Sequence, residues 1–116
     1  MKNILIIEDN KSYQNLLRKA CGFESWHVFT ADDGNEGIKL IGKEKIDLII
    51  LDILMPGMDG ISFYYQLKNI IKKHIPIIVL TNVSDMTAYG KDIKDVLIKS
   101  NVSLQEVVRK VKECLK

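Results

Sequence analysis

Short apolar runs unbroken by polar residues recur along the chain, at Ile4 to Ile7, Trp26 to Thr30, Asp47 to Leu51, Ile75 to Leu80 and Val96 to Ile98. A strand that buries one face alternates apolar with polar side chains, and these runs do not. They therefore predict strands covered on both faces. Between them the period changes. Tyr13, Leu16, Leu17 and Ala20 fall at helical spacing, as do Leu104, Val107, Val108 and Val111, with Leu115 extending the second stripe. Ser103 and Glu106 precede that stripe at the spacing of a capping box. Gly34 to Lys43 and Gly60 to Lys72 also read as helices, the former carrying Gly37 at a cost of about 1 kcal/mol relative to alanine. A brief fourth helix is expected in the segment from Asn82 to Asp95, capped by Ser84 and ended by Gly90. Strands alternating with helices of this length predict an α/β fold, a single parallel sheet flanked by five helices through right-handed crossovers.

In open parallel sheets, ligands bind beyond the carboxyl ends of the strands. The polar residues at those ends are Glu8 and Asp9 after the first run, Asp52 after the third, Thr81 after the fourth and Lys99 after the fifth. Carboxylates gathered on one rim beside an apolar interior repel one another and lose hydration, so a cation has to compensate them. A hard divalent ion such as Mg2+ or Mn2+ suits oxygen ligands, takes one or two protein carboxylates and keeps positions open for phosphoryl oxygens. Asp52 ends an apolar run and leads into a turn, Ile53 to Gly60. A carboxylate at a strand tip beside a metal is a candidate nucleophile, with aspartyl phosphate as its product. Thr81 and Lys99 would then offer a hydroxyl and an ammonium to the oxygens of a transferred group. Each residue alone has a plainer reading, a turn former for Asp52, a solvated lysine for Lys99 and a β-branched strand residue for Thr81. Their conjunction on one rim carries the argument.

Composition narrows the function classes without choosing among them. At 116 residues, 47% hydrophobic and 28% charged, the chain has the size and balance of one globular domain. No apolar run approaches the roughly 20 residues a membrane helix needs, and the amino terminus lacks the pattern of a cleaved leader, so a cytoplasmic location is expected. A net charge of +2, with the basic residues scattered, argues against a nucleic-acid or membrane partner. Cys21 and Cys114 have neither metal-knuckle nor redox spacing and are expected to be small reduced core residues.

The acid pair Glu8-Asp9, then Asp52 in the pattern Asp-x-x-Met-Pro-x-Met-Asp-Gly through Gly60, then Thr81 and Lys99, resembles the receiver domain of two-component response regulators, CheY-like and stand-alone, over essentially the whole chain. The resemblance implies a flavodoxin-like sheet in the order 2-1-3-4-5, one receiver domain over residues 1–116, and no output domain. It implies Asp52 as the phosphoacceptor, Asp9 as a direct metal ligand, Glu8 acting largely through a metal-bound water, and the backbone carbonyl of Leu54 as a further ligand. Thr81 and Lys99 would hold the phosphoryl oxygens. A histidine kinase or histidine phosphotransfer protein, or a small phosphodonor, would supply the phosphate, and a downstream protein target would read it. Such a domain is not an enzyme beyond catalysing its own phosphorylation and dephosphorylation.

Four departures from the family pattern shape further expectations. Val96 stands where receivers usually carry a Tyr or Phe, which removes the customary aromatic readout; Tyr89 is a conceivable substitute whose plainer reading is helix packing. Ser100 follows Lys99 in place of proline, and a non-proline cis bond costs about 2.5–4 kcal/mol. The segment between the fourth and fifth strands is short by roughly one helical turn, which predicts an altered partner surface and a monomer or weak dimer. Leu54 and Val83 are apolar where some relatives orient a hydrolytic water, so slow self-dephosphorylation is expected. A pseudo-receiver that binds partners without phosphorylation is the alternative. A haloacid-dehalogenase-type phosphatase would want Asp-x-Asp where Glu8-Asp9-Asn10 stands, and a flavodoxin-like electron carrier would want a phosphate-cradling loop where the acids lie.

Overall fold

Five strands lie parallel and side by side in the order β2-β1-β3-β4-β5: β1 (Asn3–Ile7), β2 (His27–Ala31), β3 (Leu48–Leu51), β4 (Ile77–Thr81) and β5 (Ile93–Ile98). The computed structural model describes residues 1–52, 60–66, 69, 74–81 and 93–116. Four helices are described, α1 (Lys11–Gly22), α2 (Gly34–Lys43), α3 (Gly60–Gln66) and α4 (Leu104–Cys114). The helix expected between β4 and β5, the end of the helix expected to reach Lys72, and the turn through Leu54 and Pro56 lie outside the described residues.

The unbroken apolar runs have a direct cause. On one face Leu5, Ile7, Ile49, Leu51, Ile77 and Val79 meet Ile41 of α2 and Phe63 of α3; on the other Ile4, Ile6, Leu48, Ile50, Ile78 and Leu80 meet Leu17 and Cys21 of α1 and Val107 and Val111 of α4. Each of the three central strands thus contributes alternate residues to two separate cores, and each buried Ile or Leu is worth about 1.5–3 kcal/mol. The edge strand β2 differs from expectation. It is only half-buried, with His27 exposed and its ring stacked on Phe29 at 4.4 Å. The other edge, β5, starts at Ile93 rather than Val96, and its pairing slips between Ile77↔Ile93 and Ile78↔Asp95.

Helix boundaries follow their caps. Asn10 accepts from the Tyr13 N–H at 2.9 Å and Asp33 from the Glu36 N–H at 2.9 Å. The Ser103–Glu106 box forms in both directions, at 3.1 and 3.2 Å. The buried stripe of α1 is Gln14, Leu17 and Cys21, with Tyr13 and Ala20 half-buried, while Leu16 is exposed. Burial pushes the Cys21 thiol up to about 11, with the Glu24 charge adding to the effect, so it packs as an unreactive core group. Cys114 is half-buried and in no disulfide. Gly37 faces Ile7, where a Cβ would lie 2.6 Å from Cδ1. Close helix–sheet approach explains a glycine inside α2.

Candidate metal centre

The strand ladder continues one residue past β1 and β3, and that extension builds the site. The Glu8 N–H donates to the Ala31 carbonyl at 3.1 Å, and the Asp52 N–H donates to the Ile7 carbonyl at 3.1 Å. Both carboxylates are therefore carried on backbone as rigid as the sheet itself. Glu8 is 2% exposed and Asp52 6%, whereas Asp9 is exposed. One oxygen from each of Glu8, Asp9 and Asp52 lies within 4.8 Å of the others.

Gln14 ties the start of α1 to this rim. Its buried carboxamide donates to the Glu8 carbonyl at 2.8 Å, the Ala31 carbonyl at 3.2 Å and Asp32 Oδ1 at 3.0 Å. Asn10 links the same turn to the acids, since its N–H donates to Glu8 Oε2 at 3.1 Å while its side chain caps α1. Asp32, which also pairs with Lys11 at 2.5 Å, is held below the usual carboxylate range by Lys11 and then Gln14.

Lys99 supplies the positive charge that the buried acids require. It sits in the turn after β5, and its Nζ donates to Asp52 Oδ2 at 2.9 Å and forms an ion pair with Glu8 Oε1. Burial pushes the Glu8 carboxyl up, with the nearby Asp52 charge adding to the effect, and the hydrogen bonds from Lys99 and the Asn10 N–H offset this only in part. For Lys99 burial opposes the charge, but hydrogen bonds to Glu8 and Asp52 outweigh it and the ammonium titrates above its ordinary value. The Lys99 Nζ also lies 4.8 Å from the centroid of the Tyr13 ring. Burial raises the Tyr13 hydroxyl too, so the ring stays a neutral phenol.

The donor set fits a hard divalent cation. The three candidate ligands among the described residues are carboxylates, two of them buried, and together with Lys99 they carry two net negative charges when ionised. An incoming dication would complete the compensation that one ammonium begins. Thus Glu8, Asp9, Asp52 and Lys99 come together as the sequence predicts. Thr81 ends β4 in register with Ile98, which places it beside the turn carrying Lys99. Its side chain and the Leu54 carbonyl lie outside the described part of the site. Sequence reasoning missed Gln14, Asn10 and the ring of Tyr13. A polar residue in phase with Leu17 and Cys21 was the available signal for Gln14.

The sequence profile of the response regulator receiver domain matches residues 4–112. Response regulator MprA of Mycolicibacterium vanbaalenii is 29% identical over 116 aligned residues, covering 97% of this chain and 50% of that protein. MprA of Mycobacterium leprae is 28% identical with the same coverage, so the chain spans about half the length of these curated relatives. Among solved structures, response regulator protein TrrA of Thermotoga maritima in complex with Mg2+ and BeF is 32% identical, with a TM-score of 0.85 and coverage of 99% of this chain and 100% of that one. A CheY-like receiver domain from Methanospirillum hungatei, at 22% identity and a TM-score of 0.86, covers 99% of this chain and 94% of its own and matches in fold.

Proposed function

This chain belongs to the response regulator receiver domain family of two-component systems, and on that footing we propose that Asp52 accepts a phosphoryl group in a Mg2+-dependent reaction and that the chain signals through the resulting conformational change. The observation that carries the reading is the buried Asp52 carboxylate, bonded by Lys99 at 2.9 Å and clustered with oxygens of Glu8 and Asp9. Glu8, Asp9, Asp52 and the Leu54 carbonyl would hold Mg2+ or Mn2+, which supplies the positive charge that lets a phosphoryl dianion approach a carboxylate. Support for metal dependence comes from TrrA, the relative solved with Mg2+ and BeF.

The step itself is an in-line displacement. An oxygen of Asp52 forms a bond to phosphorus as the phosphorus–nitrogen bond of a donor phosphohistidine breaks, and the leaving imidazole keeps the electron pair. Lys99 and the sheet backbone hold Asp52 in place, so alignment is provided before the donor arrives. Lys99 is bonded to the attacking carboxylate beforehand and would follow the new charge onto a phosphoryl oxygen, joined there by the Thr81 hydroxyl. Histidine kinases phosphorylate receivers generally; a kinase or a histidine phosphotransfer protein is the donor proposed here, acting in the cytoplasm. The apolar residues Leu54 and Val83 favour slow loss of the phosphoryl group.

Acetyl phosphate with Mg2+ tests this reading by intact mass. Wild type should gain one phosphoryl group, and the gain should vanish with chelator and in Asp52→Asn. A phosphoryl gain that survives Asp52→Asn would overturn it.

A further inference from the structure

We propose that Tyr13 is a positioning residue for Lys99, its ring serving as a neutral rail along which the ammonium moves between the carboxylates and a phosphoryl group. The proposal rests on the reading of Asp52 as phosphoacceptor. Its starting point is the way the lysine is held. Lys99 follows the last residue of β5 in a turn and is succeeded by Ser100, so no proline ring stiffens the backbone beside it. A lysine side chain has four rotatable bonds, and placing its tip needs contacts on more than one side. Glu8 and Asp52 hold it on the acid side. The face of Tyr13, 4.8 Å from Nζ to the ring centroid, holds it on the other.

Tyr13 is in turn fixed to the same site. Its N–H donates to Asn10 Oδ1 at 2.9 Å, the Asn10 N–H donates to Glu8 Oε2 at 3.1 Å, and Glu8 Oε1 pairs with Lys99. The contacts close a ring running from Lys99 through Glu8, Asn10 and Tyr13 back to Lys99. The cap of α1 and the lysine after β5 are therefore set in register by one circuit.

An aromatic face suits this task better than another acid. It attracts a cation through its quadrupole and takes up none of the three N–H donors, so the ammonium can change partners without losing its guide. A third carboxylate would compete with the phosphoryl oxygens for the same donors. Cation–π attraction at a site this desolvated corresponds to roughly a five- to thirty-fold effect on an equilibrium or rate.

The test uses the whole chain with Tyr13→Leu, Tyr13→Phe, Lys99→Met and the Tyr13→Leu/Lys99→Met pair. The rate of phosphorylation by acetyl phosphate is followed at saturating Mg2+ over a range of donor concentrations. Leucine preserves an apolar packing group while removing the ring. Tyr13→Leu should slow the maximal rate roughly five- to thirty-fold, and Tyr13→Phe should restore most of that loss. In the Lys99→Met background Tyr13→Leu should have no further effect. An equal loss in that background, or no recovery with phenylalanine, would assign Tyr13 to packing and overturn the proposal. A second readout is independent of phosphorylation. The Lys99 Hε and Cε resonances should be ring-shifted in wild type and in Tyr13→Phe and unshifted in Tyr13→Leu. If wild type takes up no phosphoryl group, the phosphoacceptor reading fails and this shift alone decides the placement of Lys99: its presence in wild type and loss in Tyr13→Leu support the placement, and its absence in wild type overturns it.

Discussion

Removing the Lys99 ammonium should unbalance the buried acids, and the structure sets the size of the effect. Lys99→Met keeps most of the side-chain volume and deletes the charge that meets Asp52 at 2.9 Å and pairs with Glu8. At an effective dielectric near 20, one contact at that distance is worth about 6 kcal/mol of gross Coulomb attraction. Desolvation of the three ions offsets much of this, and breaking a buried pair by removing one partner costs about 3–5 kcal/mol net. The Lys99 side chain is 18% exposed, which favours the lower end. A loss of about 3 kcal/mol corresponds to a fall in Tm of roughly 12 °C for a domain of this size. The sign of the pH dependence follows from the shifts. The Glu8 carboxyl titrates above its ordinary 4.5 in the folded protein, so its burial penalty develops as pH rises past that value and is relieved below it. The Lys99 contribution is complete below its ordinary 10.5 and is lost as pH rises through its elevated folded value. The gap between wild type and Lys99→Met in chelator should therefore be widest from neutral to mildly alkaline pH. It should narrow towards acid, where Glu8 binds a proton, and towards strong alkali, where Lys99 loses one. Mg2+ should raise the Tm of the variant more than that of wild type. A gap below about 1 kcal/mol at neutral pH, or one that widens on acidification, would refute the counterion reasoning.

Gly37→Ala gains about 1 kcal/mol of helix propensity but sets a Cβ 2.6 Å from Ile7 Cδ1 in a closed core, where overpacking costs about 1–3 kcal/mol. Urea denaturation should show a net loss of stability, and a gain would contradict the close approach. Gln14→Ala withdraws the carboxamide from the Glu8 and Ala31 carbonyls and should cost roughly 2–3 kcal/mol while weakening Mg2+ binding; unchanged stability and affinity would show that the carboxamide does not brace the site. Ser103→Ala opens the capping box of α4 and should cost about 1 kcal/mol in thermal melts without altering Mg2+ affinity.

The parallel strands were legible because burial on both faces leaves a plain signature, unbroken runs such as Leu48 to Leu51. That signature fades at the edges. β2 is half-buried, and β5 begins with Ile93-Lys94-Asp95, whose polar pair hid its first turn of pairing. Hydropathy also set the phase of α1 wrongly, choosing Leu16 over Gln14. A glutamine is buried there because the strand-end carbonyls of Glu8 and Ala31 accept from its carboxamide, and a tertiary hydrogen bond leaves no trace in periodicity. For the site, topology did most of the work. Once the runs are strands of a doubly wound sheet, Glu8, Asp9, Asp52 and Lys99 must share one rim. Partners within that rim depend on rotamers, which is why the Lys99 bridge and the Tyr13 ring emerge only from coordinates.

The central claim is that Asp52, and no other carboxylate of the cluster, receives the phosphoryl group. Reduction of the acetyl-phosphate-treated protein with borohydride converts an acyl phosphate into an alcohol, which marks the acceptor for peptide sequencing by mass spectrometry. The account predicts homoserine in place of Asp52, formed only in the presence of Mg2+. Homoserine in place of Asp9, or a peptide containing Asp52 that remains wholly unmodified while the protein is phosphorylated elsewhere, would contradict it.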